Sequence, residues 1–384
     1  MPYWRLSGFY FFYFASLGAL VPYWGLYLQW LGFDAVAIGS LMAILMATKV
    51  VAPNLWGWLG DHYGRRMAIV RLASLLALVS FALILEVRGF WAVALVMALY
   101  SFFWNASLPQ FEAVTFNYLG KATERYSRIR LWGSVGFIVT VVGVGQLVDR
   151  LGPPMVVWSV LAAFVGVWLS SLLVADRPNG VHHQPQPSLW RVLARTEVWA
   201  FLLAVFLMQM SHGPYYAFYT IYLQDHGYSK TLIGLLWSAG VVAEVALFLV
   251  MHRLLKAHAA HTLLAVSLAL AGLRWLFIGW FVDSLPVLFL AQVLHAASFG
   301  SFHASAMEMI HGFFKGRHQG RGQALYASIS FGAGGALGTF ASGFLWQSGG
   351  ATWAYTLASL VALAGAGVVW RLVAPRLEAK WQLS

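Results

Sequence analysis

The chain has 384 residues, of which 60% are hydrophobic, 16% aromatic and only 10% charged, and it contains no cysteine. A water-soluble domain carries roughly 25% charged residues, so the composition excludes an ordinary soluble enzyme, a disordered chain and a coiled coil; the missing cysteine excludes a disulfide framework and a thiolate metal site. The formal charge of +11 suits either a nucleic-acid binder or a membrane protein, and the positions of the charges decide between them.

A mean hydropathy of +0.72 makes the bilayer the solvent this chain is built for. A spanning helix needs about 20 mostly apolar residues. Such runs fall near residues 6–30, 36–58, 67–87, 90–115, 129–149 and 153–174, then 198–224, 231–252, 260–282, 286–311, 322–347 and 351–373. The first run is too long for a cleaved signal peptide and another follows at once, so none is expected. Between the sixth and seventh runs the composition changes to that of a linker, with Asp-Arg-Pro-Asn-Gly followed by His-His-Gln-Pro-Gln-Pro. The pattern predicts an all-α membrane protein of twelve transmembrane helices in two pseudo-symmetric six-helix bundles. Residues 1–175 form the first bundle, 176–197 a cytoplasmic linker and 198–384 the second.

Charge sets the expected orientation. With the N-terminus in the cytoplasm, nineteen of the 24 Lys and Arg fall on the inner side, three (Arg88, Arg150, Lys230) outside, and Lys49 and Arg274 inside helices. The positive-inside rule then predicts both termini cytoplasmic and accounts for the basic charge without nucleic acid.

The halves also repeat. Tyr27-Leu28-Gln29, Gly32, Ile38-Gly39 and Leu41 recur as Tyr222-Leu223-Gln224, Gly227, Ile233-Gly234 and Leu236, at a constant offset of 195. Duplicated six-helix halves predict a transporter whose site lies between them near the midplane, not a channel or a receptor.

Between the second and third runs stands Gly57-Trp58-Leu59-Gly60-Asp61-His62-Tyr63-Gly64-Arg65-Arg66. It resembles the signature loop of the major facilitator superfamily, with every anchor residue present. The resemblance implies a gate: Gly64 makes the turn, Arg65 and Arg66 hold the loop at the inner surface, and Asp61 meets the start of helix eleven, near Arg321 and Gly322, when the inner side is shut. Glu112 and Arg130, eighteen residues apart around Ser127-Arg128-Ile129-Arg130-Leu131-Trp132-Gly133-Ser134, resemble the sugar-binding pair of the lactose permease type of oligosaccharide:proton symporter. Arg274 and His295 fall where that type has proton-coupling residues. Phe137 stands where its sugar-stacking Trp would be, and Ser298 where it has a Glu, which weighs against a sugar. Nearly the whole chain is more similar to the phenylpropionate permease group, through Arg274-Trp275, Leu294-His295 and Leu236-Trp237-Ser238 up to Glu244. That resemblance implies proton-linked uptake of an aromatic carboxylate across a bacterial inner membrane by a single chain.

Charges inside a bilayer cost at least about 2.5–3.5 kcal/mol each and mark functional positions. Lys49 and Glu244 occupy equivalent places, each thirteen residues into its helix and so roughly 20 Å from the outer end. A bridge between them that breaks during transport is one reading, a permanent ion pair the other. Glu244, Arg274 and His295 together suit proton coupling, with Glu244 carrying the proton, Arg274 resetting it and His295 orienting it or the substrate. Arg130 or Arg128 is the expected partner of Glu112, whether as a ligand pair or as a salt bridge at the inner end. Glu308, His303 and His311 read as solvated groups near the inner end of helix ten, and their spacing fits no metal.

Among the many aromatics Tyr13 and Tyr216 are best placed to face a ligand. His212 sits beside the helix-weakening Gly213-Pro214. Gly133, Gly136, Gly332, Gly335 and Gly338 read as close helix contacts. No nucleophile–base pair, metal cluster or nucleotide loop appears, so neither an enzyme nor a cofactor is expected. The function expected is proton symport of a small organic substrate by alternating access. For an aromatic carboxylate, Lys49 and Arg274 are the anion partners. A sugar or nucleoside symporter, binding through Glu112 and Arg130, and a drug or metabolite exporter are the alternatives.

Overall fold

The computed structural model describes residues 1–120, 122–176 and 189–381, the side chains of 317 and 378–381 excepted. Most of the expected linker, and with it Lys121 and Arg177, lies outside them. Among the described residues regular structure is helical throughout.

The first six crossings are α1 (Tyr3–Trp30), α2 (Ala35–Tyr63), α3 (Arg66–Ala82), α4 (Phe90–Leu119), α5 (Tyr126–Leu151) and α6 (Met155–Leu172). The seventh, α7, is broken into Thr196–Ser211 and Gly213–Asp225. Then follow α8 (Lys230–Ala257), α9 (Ala260–Trp280) and α10 (Leu285–Phe313). The final helical stretch, Gln319–Leu377, is 59 residues long, about 88 Å as one straight helix and far too long for a single crossing of roughly 30 Å. It reverses at Gly350, whose φ of 74° and ψ of −173° lie in a region open essentially to glycine alone. Two glycines on opposite sides of the reversal, Gly334 and Gly365, pack against the same stretch of α7, at Phe206 and at Ala204 and Leu207. The stretch is therefore two crossings, α11 (319–349) and α12 (351–377).

By contact the chain forms two compact units. One comprises Met1–His183 with Ala217–Ser238, the other Gln184–Tyr216 with Ala239–Ser384. The breaks fall inside α7 and α8, at Tyr216 and Ser238, so both helices are shared between the units.

Local chemistry explains the ends of the elements. Asp34 caps α2 by accepting the Ala37 amide at 2.8 Å. The internal repeat folds the same way twice. Gly32 and Gly227 have φ of 91° and 82°, and the amides of Phe33 and Tyr228 reach back to the Leu28 and Leu223 carbonyls at 3.2 and 3.1 Å. Both are glycine-terminated helix ends of the Schellman type.

Inside the first unit α1 and α5 touch backbone to backbone: a Cβ on Gly136 would lie 2.2 Å from the Phe11 carbonyl oxygen, and one on Gly18 2.7 Å from that of Phe137. In the second unit α7 and α11 do the same through Gly213 and Gly338, the latter against the Met210 carbonyl. Such contact needs residues without side chains.

The signature segment differs from a loop. α2 continues through it to Tyr63, and only Gly64 and Arg65 form the turn, Gly64 in the left-handed region with its amide on the Gly60 carbonyl. The apolar period of the second run ends near residue 58, whereas the helix runs on to Tyr63, where the Asp61–Arg66 pair and the Arg66–Gln110 bond tie its end to α3 and α4.

Candidate functional site

Each unit holds a polar cluster walled by aromatic rings. In the first, α1, α4 and α5 bring together Tyr10, Tyr13, Glu112, Tyr126 and Arg130. Glu112 finds a different partner from the one expected: the Tyr126 hydroxyl donates to its Oε1 at 2.7 Å. Among the described residues no Arg lies within ion-pair distance of it. Arg130 instead lays its guanidinium over Phe14, 3.7 Å from the ring centroid, a cation–π contact for which Gly133 leaves the space. The physical reason is helical phase: Tyr126 opens α5 one turn before Arg130 and reaches back toward Glu112, while Arg130 faces α1. The side chain of Arg128 is not drawn in; its carbonyl accepts the Tyr3 hydroxyl. Tyr13 is buried with its ring stacked on Trp104 at 5.3 Å and on Phe9 at 6.1 Å. Phe137 is buried against Gly18.

Lys49 lies on α2 next to a small network in which the Asn105 amide donates to Thr48 and Thr48 donates to Ser101, both at 3.0 Å. Its Nζ contacts Met46 Sδ at 3.4 Å. Among the described residues no carboxylate of its own unit lies within ion-pair distance.

The signature segment forms a compact ionic knot. Asp61, 70% exposed at its side chain, pairs with Arg66. Arg66 also donates to Gln110 Oε1 at 2.7 Å, and Gln110 donates to the Trp56 carbonyl at 3.1 Å. The knot ties α2, α3 and α4 together at that end of the unit.

The second unit carries the denser cluster, on α7, α8, α9 and α10. Arg274 is 0% exposed. Its Nε donates to the Ala291 carbonyl at 2.9 Å and its Nη2 to Gln292 Oε1 at 3.4 Å. The guanidinium lies 4.3 Å from the centroid of Tyr215 and 4.6 Å from that of Trp275. Its Nη1 has no hydrogen-bond partner among the described residues, and no carboxylate within its unit lies within ion-pair distance.

Gln292 also accepts the Tyr215 hydroxyl at 2.9 Å. His212 is fully buried, one ring nitrogen bonded to the Met208 carbonyl at 2.8 Å. A carbonyl only accepts, so that nitrogen, Nδ1, carries the proton, and Nε2 is left without a partner among the described residues. Tyr216 stacks on His212 at 5.6 Å.

His295 Nε2 stands 3.7 Å from Glu244 Oε2, and its ring stacks on Phe299 at 5.1 Å. Arg274, expected to act on Glu244, instead makes the contacts of its fork to α10. The reason is again phase: Ala291 and Gln292 face α9, while His295, one turn further on, faces α8. Directly after His295 the helix takes a π turn over Ala296–Ser301, a distortion that favours functional positions.

Gln292, Tyr126 and Phe299 did not stand out in the sequence, and Trp275 did so only as part of the family resemblance. For Gln292 the signal was present, an uncharged amide one turn before His295 in an otherwise apolar helix. The aromatic residues are concealed by the abundance of their kind. Further toward the end of α10, His303 Nδ1 meets the Tyr326 hydroxyl at 3.1 Å and His311 meets Gln323 at 3.4 Å. No group of acidic or imidazole side chains among the described residues could hold a metal ion.

A multi-pass helical membrane protein of two units, with charged side chains buried in its spans and a signature turn after its second helix, is by class a membrane carrier. The MFS_1-like family matches residues 3–357, and the chain belongs to that family and through it to the major facilitator superfamily. It is 31% identical over 376 residues to the probable 3-phenylpropionic acid transporter of Escherichia coli K12, covering 92% of this chain and 94% of that one. It is 26% identical over 374 residues to the maltose permease of Geobacillus stearothermophilus, covering 92% and 91%. In structure it is similar to a point mutant of the nucleoside transporter NupG, with a TM-score of 0.86, 17% identity and coverage of 96% and 98%. That last likeness is one of fold. These relatives are transporters, not enzymes.

Proposed function

We propose that the chain is a proton-coupled symporter that takes up a small aromatic carboxylate of the 3-phenylpropionate class by alternating access. It would act as a single chain in a bacterial inner membrane, with both termini cytoplasmic. The observation that carries the reading is Arg274: a fully buried guanidinium against two adjoining aromatic rings, with one amino group unfilled. A buried cation asks for a counter-charge, and an arylalkyl carboxylate brings an anion for the guanidinium and a ring for the walls of Tyr215, Tyr216 and Trp275.

In this reading Glu244 carries the proton, His295 at 3.7 Å relays or orients it, and Arg274 holds the substrate. His212 and Tyr216 flank the substrate in the second unit; Lys49, Glu112, Arg130, Tyr13 and Phe137 are the ligand residues of the first. Asp61, Gly64, Arg65 and Arg66 form the gate. The similarity to a probable 3-phenylpropionic acid transporter supports the substrate class.

A second reading, a sugar or nucleoside symporter, draws on the Glu112–Tyr126 pair among stacked rings and on the maltose permease relative.

The test is uptake into proteoliposomes with an imposed inward proton gradient, comparing labelled 3-phenylpropionate, maltose and uridine. Gradient-dependent accumulation of phenylpropionate alone is expected. Accumulation of maltose or uridine in its place would install the second reading, and uptake indifferent to the gradient would remove proton coupling.

A further inference from the structure

Gln292 has no place in the reading above, yet it is the hub of the second cluster. It is 0% exposed on α10. Its amide oxygen accepts from two donors on two other helices, the Tyr215 hydroxyl of α7 at 2.9 Å and Arg274 Nη2 of α9 at 3.4 Å. Around it the guanidinium is held by its Nε on the Ala291 carbonyl and by the adjoining rings of Tyr215 and Trp275. Every one of these partners is electrically neutral.

An acceptor that touches a buried Arg in a membrane is most economically a carboxylate, since an opposite charge offsets the desolvation of the guanidinium. Glu differs from Gln only in replacing the amide NH₂ by oxygen, so a carboxylate at 292 would accept the same two hydrogen bonds from the same place. The chain forgoes that pairing. Besides donating from its NH₂, what an amide does that a carboxylate does not is hold the fork while leaving its positive charge uncancelled.

We propose that Gln292 is a positioning and specificity-determining residue. Its neutral carboxamide, braced by Tyr215, fixes Arg274 with Nη1 unfilled and keeps the guanidinium charge for an anionic substrate. The inference rests on the reading of Arg274 as the carboxylate partner, and it adds the reason why that cation is available. It also states the selectivity: a carboxylate is preferred over its neutral isostere because charge, not shape, is what the cluster withholds.

The contrasting role for Gln292 is packing alone, a polar bridge joining three helices. The two roles separate on one substitution. Q292E keeps the two accepted hydrogen bonds and supplies the counter-charge internally; a packing residue would show no change in ligand choice, whereas a charge-reserving residue would lose its preference for the acid.

The experiment measures binding of 3-phenylpropionate and of its neutral analogue 3-phenylpropionamide to the purified full chain at pH 7, for wild type, Q292E and Q292N. Wild type is expected to bind the acid at least about tenfold more tightly than the amide, the scale of a charge-assisted hydrogen bond. Q292E is expected to lose that preference, with the acid weakened at least tenfold and the amide changed little.

Q292N stays neutral but is one methylene shorter and no longer reaches Arg274. It is expected to weaken the acid several-fold while keeping some preference for it, and it provides the test should Q292E not fold. An undiminished acid preference in Q292E, or unaltered acid affinity in Q292N, would overturn the proposal while leaving the carboxylate reading in place. A wild type that does not distinguish acid from amide would overturn both.

Discussion

Arg274 and Glu244 are the two residues on which the proposed transport chemistry turns, and each is expected to fail in its own way when altered. Arg274 presents a flat fork: one nitrogen on a carbonyl, one on an amide, the guanidinium against two adjoining rings. Lysine has a single point charge and no plane, so Arg274→Lys is expected to reduce phenylpropionate uptake about tenfold or more despite keeping the charge. Initial-rate uptake at matched expression checks it, and near wild-type rates would discard the assigned contact. Glu244→Gln removes the group assigned to carry the proton while retaining its shape. Accumulation against a gradient should then vanish while exchange of internal for external substrate persists. Tyr126→Phe deletes the hydroxyl that holds Glu112 at 2.7 Å. Loss of one hydrogen bond to a buried carboxylate costs on the order of 1–3 kcal/mol, so the thermal midpoint of the purified protein should fall.

At the scale of elements, the close helix pairs and the π turns are the sensitive points. Gly338→Ala would place a methyl 2.2 Å from the Met210 carbonyl oxygen, and forcing α7 and α11 apart costs roughly 1–3 kcal/mol. The same substitution at Gly367, where nothing lies within 4 Å, is the matched control. Thermal unfolding in detergent should separate the two, and equal midpoints would mean that the helices part without cost. The π turn over Ala296–Ser301 invites a different change. Deleting one of its residues should close it into α-helix with the phase of Gln292 and His295 nearly kept, since a π turn accommodates one extra residue; loss of transport in a protein that still inserts would then trace to the turn itself.

How much of this was legible in the sequence follows from what each signal depends on. The spans were visible because hydropathy is a local property: all twelve runs correspond to helical crossings, with ends off by a few residues where polar residues continue the helix, as in α2 up to Tyr63. The side-chain partners were not, because they depend on helical phase and neighbour identity, which a single sequence does not carry. Glu112 was expected to meet an Arg and meets Tyr126. Gln292 drew no attention because an amide carries no charge to balance. The π turn over Ala296–Ser301 was invisible for a simpler reason, that Ala-Ala-Ser-Phe-Gly-Ser reads as ordinary helix.

The whole molecule offers a test of orientation that few membrane proteins allow so cleanly. The chain has no cysteine, so a single introduced thiol is labelled against no background. Gly89→Cys and Leu151→Cys, both exposed and beside Arg88 and Arg150, should react with an impermeant maleimide in intact cells. Thr123→Cys, between α4 and α5, should react only after permeabilisation. The reverse pattern would invert the charge-based topology. Proton coupling has its readout at this scale too: with the outer side acidic, phenylpropionate uptake should rise, and a protonophore should return it to the equilibrium level.

The reversal at Gly350 has a consequence for how the protein is made. The last two crossings are separated only by Gly350, too short a spacer for the nascent chain to deliver them to lipid one after the other. They must enter as a preformed hairpin, its bend resting on a backbone angle that any side chain resists. Damage at that single glycine would therefore surface as failed biogenesis and clearance by quality-control proteases, before any question of transport arose.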